Sequence, residues 1–316
     1  MSASPTSHPD STGYRLPDLA LLRFEGPETR AFLNSQLTQD LSDLPVGSAR
    51  LAGYCSPKGR LLGSGWLVSM ASDTFIWLVS ADLAAALHKR LSMFILRTKT
   101  KASLVQDLAV VGAWRSASEV QPSAKESPIP VTDWQGFQGF ALPAARPDSD
   151  LVRWIGVGPG EGLQDMPVER LEQWNREELL SAVPRITSAA SDLFVPQAIN
   201  FELVGGVSFT KGCYPGQEVV ARSQYLGKMK RRLALGRCAG QVAVAQDVQD
   251  AESGAIVGQV VMAQPEIGSA GTQSWIAFEV ETAALEQPLR VGEHSITVHP
   301  LPYPIPVHTP VQRPKL

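Results

Sequence analysis

The sequence predicts an α+β fold with a small all-β part at its C-terminal end. Three observations lead there. Strand-like runs arrive as hairpins joined by Pro- and Gly-bearing turns, amphipathic helices fall between groups of strands, and helical periodicity fades beyond residue 230. A doubly wound parallel sheet would instead alternate strand and helix throughout.

Residues 1–15 begin MSASPTSHPDSTGY, a polar Ser/Pro-rich stretch that reads as a disordered lead-in without the apolar centre of a signal peptide. LALLRFEG (19–26) is the first strand. In PETRAFLNSQLTQDL (27–41), Pro27 suits a helix start, and Phe32, Leu33, Leu37 and Leu41 recur at helical spacing. ARLAGYCS and RLLGSGWLVS are two strands across the turn SPKG, and TFIWLVS (74–80) is another. ADLAAALHKRLSMFIL (81–96) is a helix capped by Ser80. Strands are expected near 102–114 and 135–157, with a Pro/Ser/Ala-rich loop at 116–131. VERLEQWNREELLSAV (168–183) is a strongly amphipathic helix.

After residue 230, RRLALGRC, AIVGQVVMA, SWIAFEVE and SITVHP are short strand-like runs, with one brief helix near 282–287. They suit a small barrel or a sandwich. The tail HPLPYPIPVHTPVQRPKL is too rich in proline for regular structure.

The chain has 316 residues and 44% hydrophobic content, enough for two or three domains with sizeable cores. Net charge is -3 with both signs well represented, so only a local patch could attract nucleic acid or membrane. No apolar run reaches the roughly 18 residues of a membrane span. Cys55, Cys213 and Cys238 are far apart and odd in number, and His8, His88, His294, His299 and His308 lack ligand spacing. That pattern argues against a disulfide framework and a closed zinc site, and fits a reducing, cytoplasmic setting. GVGPGEG (156–162) comes nearest to a dinucleotide loop but leads into LQDMP rather than a helix start.

TKGCYPGQEVVAR (210–222) concentrates the chemistry. Upstream, Gly205-Gly206 marks a turn and Val207–Phe209 a short strand. Downstream, Pro215 opens a helix with Gln217 and Glu218 in its first turn and Gly227 at its end. Cys213 is then expected just ahead of a helix N-terminus, with Lys211 beside it, and both positive charges favour a thiolate. Gly212 and Gly216 allow close approach of backbone to a ligand. The competing reading is a small buried thiol in a tight turn, which is the reading favoured for Cys55 and Cys238. Lys211, Arg222, Lys228, Lys230, Arg231 and Arg232 stand against Glu218 alone. This local cation excess is either a solvated face or a site for a carboxylate-bearing cofactor or RNA phosphates. Tyr214 and Tyr225 alone offer base stacking.

Lys211-Gly212-Cys213-Tyr214 followed by Gly216-Gln217-Glu218 resembles the K-G-C-Y-x-G-Q-E signature of the YgfZ-type folate-binding proteins. FVPQAINFELVGGVSFTKGCYPGQEVVAR (194–222), FLNSQLTQDLSDL (32–44), CSPKGRLLGSGWLV (55–68) and PLPY (300–303) resemble other parts of the family. The resemblance covers most of residues 18–304 and is weak over 115–165. It implies the fold of the glycine-cleavage aminomethyltransferases, the T-proteins: three domains around a central channel that binds tetrahydrofolate, the last a small β-barrel. On that template residues 16–230 form an α+β folate-binding-type region of two interleaved subdomains, 231–303 the barrel and 304–316 a Pro-rich tail.

The resemblance implies an accessory factor for assembly or repair of iron–sulfur enzymes, including those that modify tRNA. Cys213 is its functional thiol. Lys211, Gly212, Tyr214, Gly216, Gln217, Glu218 and Arg222 are the accompanying cofactor-binding set. With one cysteine placed by the motif, a stable four-thiolate cluster is not expected, and Cys213 fits a transient metal ligand or redox role. Relatives often carry Glu-Ala-Gly ahead of a proline, a glutamate implicated in holding the pterin in the transferases. Here EELLSAVP (177–184) puts Leu180 at the glutamate and Ala182 at the glycine, with Glu177 or Glu178 one turn back to compensate. The alternatives are a folate-dependent aminomethyltransferase, for which no segment matches the transferase motif, and a tRNA-binding module using the 211–232 cations.

Overall fold

A computed structural model describes residues 12–120, 128–146, 149–226, 229–268 and 271–306. Most of the lead-in and of the Pro-rich tail, the centre of the 116–131 loop, Gly227 and Lys228 lie outside these residues.

Three antiparallel sheets carry the fold. The first has six strands in the order Lys101–Leu104, Leu19–Glu25, Thr74–Ser80, Leu61–Ala71, Ser48–Cys55 and Ile129–Pro130. Its strands alternate between two dry faces. Along Thr74–Ser80, Phe75, Trp77 and Val79 enter one core, while Ile76 and Leu78 enter another. Burial on both faces explains why TFIWLVS reads as a continuous apolar run. Helices α1 (Thr29–Gln36) and α2 (Ala81–Ile95) cover the first face with Phe32, Leu33, Leu83, Leu87 and Leu91. Helix α1 is shorter than the periodicity suggested. Leu37 turns extended (φ -92, ψ 157) and bridges Tyr54, which takes it out of the helix.

The second sheet runs Tyr14–Arg15, Leu108–Ser116, Leu151–Pro159, Phe137–Ala141, Thr132–Trp134. It packs on the other face of the first sheet through Val110, Trp114, Phe140, Ile155 and Val157. Tyr14 and Arg15 thus belong to a strand, paired with Gly112 and Val111, although the sequence reading left them in the lead-in. Ile129–Pro130 likewise pairs with Ala49 and Ser48 where a loop was expected. Helix α3 (Val168–Leu180) closes this layer with Trp174.

The third sheet orders His294–Ser295, Leu289–Val291, Asp247–Asp250, Ile256–Gly268, Gly271–Glu281, Arg231–Ala239 and Thr297–His299. Its two edge strands are separated in the chain by Ile296 alone, so the sheet curls until its edges meet and forms a nearly closed barrel. The expected brief helix is the 3-10 turn Thr282–Glu286. Leu233, Leu235, Val261, Met262 and Ala277 turn toward the first core, so the barrel shares that core with the six-stranded sheet, while Val248, Val260, Ile276, Phe278 and Val280 fill a core of its own. No helix among the described residues is long and apolar enough to cross a membrane.

Candidate functional site

The segment Lys211–Arg222 folds as a turn fixed at three points, followed by helix α4 (Gln217–Leu226). Lys211 is the first point. It is 7% exposed, and its ammonium donates to the carbonyls of Asn34, Leu37 (2.6 Å) and Gln39 (3.2 Å). These carbonyls lie at the C-terminal end of α1, where intrahelical donors run out and the helix dipole is negative. The Lys211 Nζ also sits 5.1 Å from the Tyr214 ring centre. Burial pushes this lysine down to about 8, opposed by the Asp40 carboxylate.

Tyr214 is the second point, a buried ring whose phenol burial pushes up. Gly216 is the third. Its φ is +79, and a Cβ there would stand 2.4 Å from the Ser56 carbonyl oxygen and 2.6 Å from the Gly59 Cα. The SPKG turn therefore receives this segment backbone against backbone, and glycine is required at position 216. Gln217 completes the turn, its Nε2 donating to the carbonyls of Lys211 (3.3 Å) and Gly212 (3.4 Å). The expected strand at Val207–Phe209 does not form: Ser208 donates its N–H to the Thr38 carbonyl (2.9 Å), and no ladder builds on that single bond.

Between the fixed points, Gly212 and Cys213 face solvent. Of the three free thiols, Cys213 is exposed, whereas Cys55 and Cys238 are buried. Burial pushes Cys55 up to about 12 and raises Cys238 as well, which keeps both as inert thiols. Glu218 and Arg222 point outward from α4, while Val220 packs inward and its carbonyl accepts from Gln197 Nε2 (2.6 Å). The expected thiol and cofactor-binding residues thus divide. Lys211, Tyr214, Gly216 and Gln217 build the turn, and Gly212, Cys213, Glu218 and Arg222 form its open surface.

The cation excess of 211–232 does not form one basic face. Lys211 serves α1, Arg231 pairs with Glu279 (3.1 Å) and Glu281 (3.0 Å), and Arg232 pairs with Glu202 in the interior. Arg222 and Lys230 remain exposed. Among the described residues, no three His, Cys, Asp or Glu side chains converge to hold a metal ion.

Three cavities lie away from this turn, and residues 211–222 line none of them. A small pocket of about 40 Å³ sits between the first two sheets and α3, walled by Trp66, Leu142, Arg153, Trp174, Glu178 and Ser181. A wider cleft of about 400 Å³ opens beside it toward the barrel, lined by Asp18, Asp82, Asn175, Glu178, Arg185 and Met262 among others. Glu178 and Arg185 belong to both linings and form an ion pair of 2.9 Å. Glu177 turns the other way, accepting from Trp114 Nε1 (2.8 Å) and Gln173 Nε2 (2.9 Å). Leu180 lines neither space; it faces a third cleft of about 310 Å³ with Arg146, Arg176, Arg237 and Trp275. Ala182 has φ +51, a left-handed conformation in which a glycine is the usual residue, and its carbonyl accepts from Tyr303 Oη (2.8 Å).

Sequence reasoning missed Arg153. Its signal was one charge inside the apolar run LVRWIGVG.

The chain is 31% identical over 311 residues to the tRNA-modifying protein YgfZ of Pectobacterium carotovorum subsp. carotovorum (strain PC1), covering 92% of this chain and 91% of that relative. The chain belongs to the YgfZ family. Another member, the tRNA-modifying protein YgfZ of Edwardsiella ictaluri (strain 93-146), is 32% identical over 244 residues, covering 72% of this chain and 71% of its own. The crystal structure of glycine cleavage system aminomethyltransferase T from Bartonella henselae superposes with a TM-score of 0.67 over 92% of this chain and 85% of that one. At 14% identity this likeness shows the fold, and YgfZ membership and aminomethyltransferase-like architecture agree with the resemblance seen in the sequence. No family model matches the chain.

Proposed function

We propose that this YgfZ-family protein is an accessory factor in tRNA modification, and that Cys213 serves iron–sulfur enzymes of that pathway. The observation that carries the reading is an exposed thiol on a turn anchored on both sides by Lys211 and Tyr214, within the family signature. An accessible cysteine sulfur can reach a metal or a reaction partner, which a buried one cannot. The names of the relatives support the tRNA link.

Tetrahydrofolate is the proposed cofactor, and the wide cleft suits it. Its volume of about 400 Å³ falls in the range of small-molecule sites, and its carboxylates match the N–H donors of a reduced pterin ring. Asp18 and Asp82 already accept from Asn175 Nδ2 and Ser188 Oγ; Glu178 is engaged by Arg185 through Oε2, and its Oε1 is the carboxylate oxygen best placed to hold the ring. When bound, the reduced ring supplies electrons or carries a one-carbon unit. Leu180 makes no contribution from its own cleft, so Glu178 is the substitute for the family glutamate.

The test is complementation of a strain lacking the gene. Cys213→Ala is expected to melt at the wild-type temperature and to leave tRNA thiolation at the level of the empty strain. Full restoration of thiolation by Cys213→Ala overturns the thiol role.

A further inference from the structure

Arg153 is a buried charge with few acceptors. It lies on the strand Leu151–Pro159, is 5% exposed, and is flanked by Val152 and Trp154. Its Nη2 reaches Ser181 Oγ only at 3.5 Å, and its Nη1 has no hydrogen-bond partner. The guanidinium sits 5.2 Å from the Trp174 ring centre, an attraction that offers no acceptor. The nearby carboxylates are engaged elsewhere: Glu178 with Arg185, and Glu177 with Trp114 and Gln173. A buried guanidinium without an acceptor is strongly unfavourable, and burial lowers the pKa of this one. Arg153 is also a wall of the small pocket, whose other walls include Trp66, Leu142, Pro143 and Trp174.

We propose that Arg153 is a ligand-binding residue, donating from its free edge to an acceptor oxygen at the tip of a flat ligand seated in the wide cleft. The ligand class follows from the surroundings. Aromatic and proline walls suit a planar ring, and the guanidinium requires a carbonyl or carboxylate oxygen. The small pocket cannot take a whole ring, so we place the body of the ligand in the cleft and only its tip beside the Glu178–Arg185 pair, which lines both spaces. This rests on the reading of the cleft as a folate site and adds what that reading leaves open: the chain grips an acceptor edge through a buried cation. In tetrahydrofolate such oxygens stand at both ends of the molecule, as the ring carbonyl and as the carboxylates of the glutamate tail, with the aminobenzoyl amide carbonyl between them.

The test is titration calorimetry and thermal melting of the full chain under reducing conditions, with tetrahydrofolate, tetrahydrobiopterin and p-aminobenzoylglutamate as probes. Wild type is expected to bind tetrahydrofolate. Arg153→Met is expected to melt higher than wild type without ligand, because an unpaired charge is gone, and to bind about tenfold to a hundredfold more weakly. Binding of tetrahydrobiopterin with the same Arg153 dependence assigns the oxygen to the ring, and binding of p-aminobenzoylglutamate alone assigns it to the tail; either supports the proposal. Unchanged affinity in Arg153→Met, with a lowered melting temperature, makes Arg153 a packing residue and overturns the proposal while the cleft reading stands. No binding of any probe by wild type overturns both. If Arg153→Met does not fold, Arg153→Lys decides, since loss of the planar fork is expected to weaken tetrahydrofolate about tenfold and unchanged affinity overturns the proposal.

Discussion

Lys211 shows how one side chain can be read for a nearby ligand and yet act on a distant element. The sequence places it beside Cys213; the fold carries its ammonium to three carbonyls at the end of α1. Lys211→Met leaves those carbonyls without a donor, and a loss of about 2–4 kcal/mol in urea unfolding at neutral pH is expected. The pH dependence has a definite sign. The folded-state value is about 8 and the ordinary one 10.5, so between them the unfolded chain binds more protons and stability rises with pH. The neutral amine still has N–H donors for the carbonyls, so the contact survives the titration. The gap in stability between wild type and Lys211→Met should therefore widen across that window; a constant gap would show that Lys211 does not titrate there.

At the scale of the element, the 211–222 turn and the SPKG turn hold each other through Gly216 and Gly59. A methyl at position 216 meets the backbone of Ser56 and Gly59 and forces a left-handed conformation on alanine, whereas a methyl at Gly212 meets nothing within 4 Å. Gly216→Ala is expected to cost at least about 2 kcal/mol, and Gly212→Ala less than about 0.5 kcal/mol. Alkylation of Cys213 followed by mass spectrometry should accelerate in the first variant alone, as the turn lifts from its seat. Most elements were legible because their periodicity is local: TFIWLVS, ADLAAALHKRLSMFIL and VERLEQWNREELL are strand, helix and helix. Tyr14–Arg15 and Ile129–Pro130 were not, since two-residue strands exist only through the partner that pairs with them. The exposed Cys213 was legible from its motif. The roles of Lys211, Arg231 and Arg232 were not, because their partners Asn34, Glu279 and Glu202 are remote in sequence.

At the scale of the molecule, the barrel is joined to the rest through polar contacts set in a shared apolar interior. Arg232, second in the first barrel strand, pairs with Glu202 and donates to the Gln197 carbonyl (3.0 Å), while Asn200 brackets Leu233 through its Nδ2 (3.2 Å) and Oδ1 (3.3 Å). Both members of the ion pair are at most 10% exposed. Arg232→Met strands a buried carboxylate and is expected to cost about 3–5 kcal/mol in urea unfolding, while Arg232→Met with Glu202→Gln should regain most of it. Equal losses in the single and double variants would mean that the cost is one of shape rather than charge. The clamp between Gly59 and Gly216 also bears on recognition. Ordering a loose loop at the moment of association costs about 1–2 kcal/mol per residue in backbone entropy. The loop that bears Cys213 was ordered when the chain folded, so a molecule that reaches the thiol meets a preformed surface and need not supply that ordering cost itself.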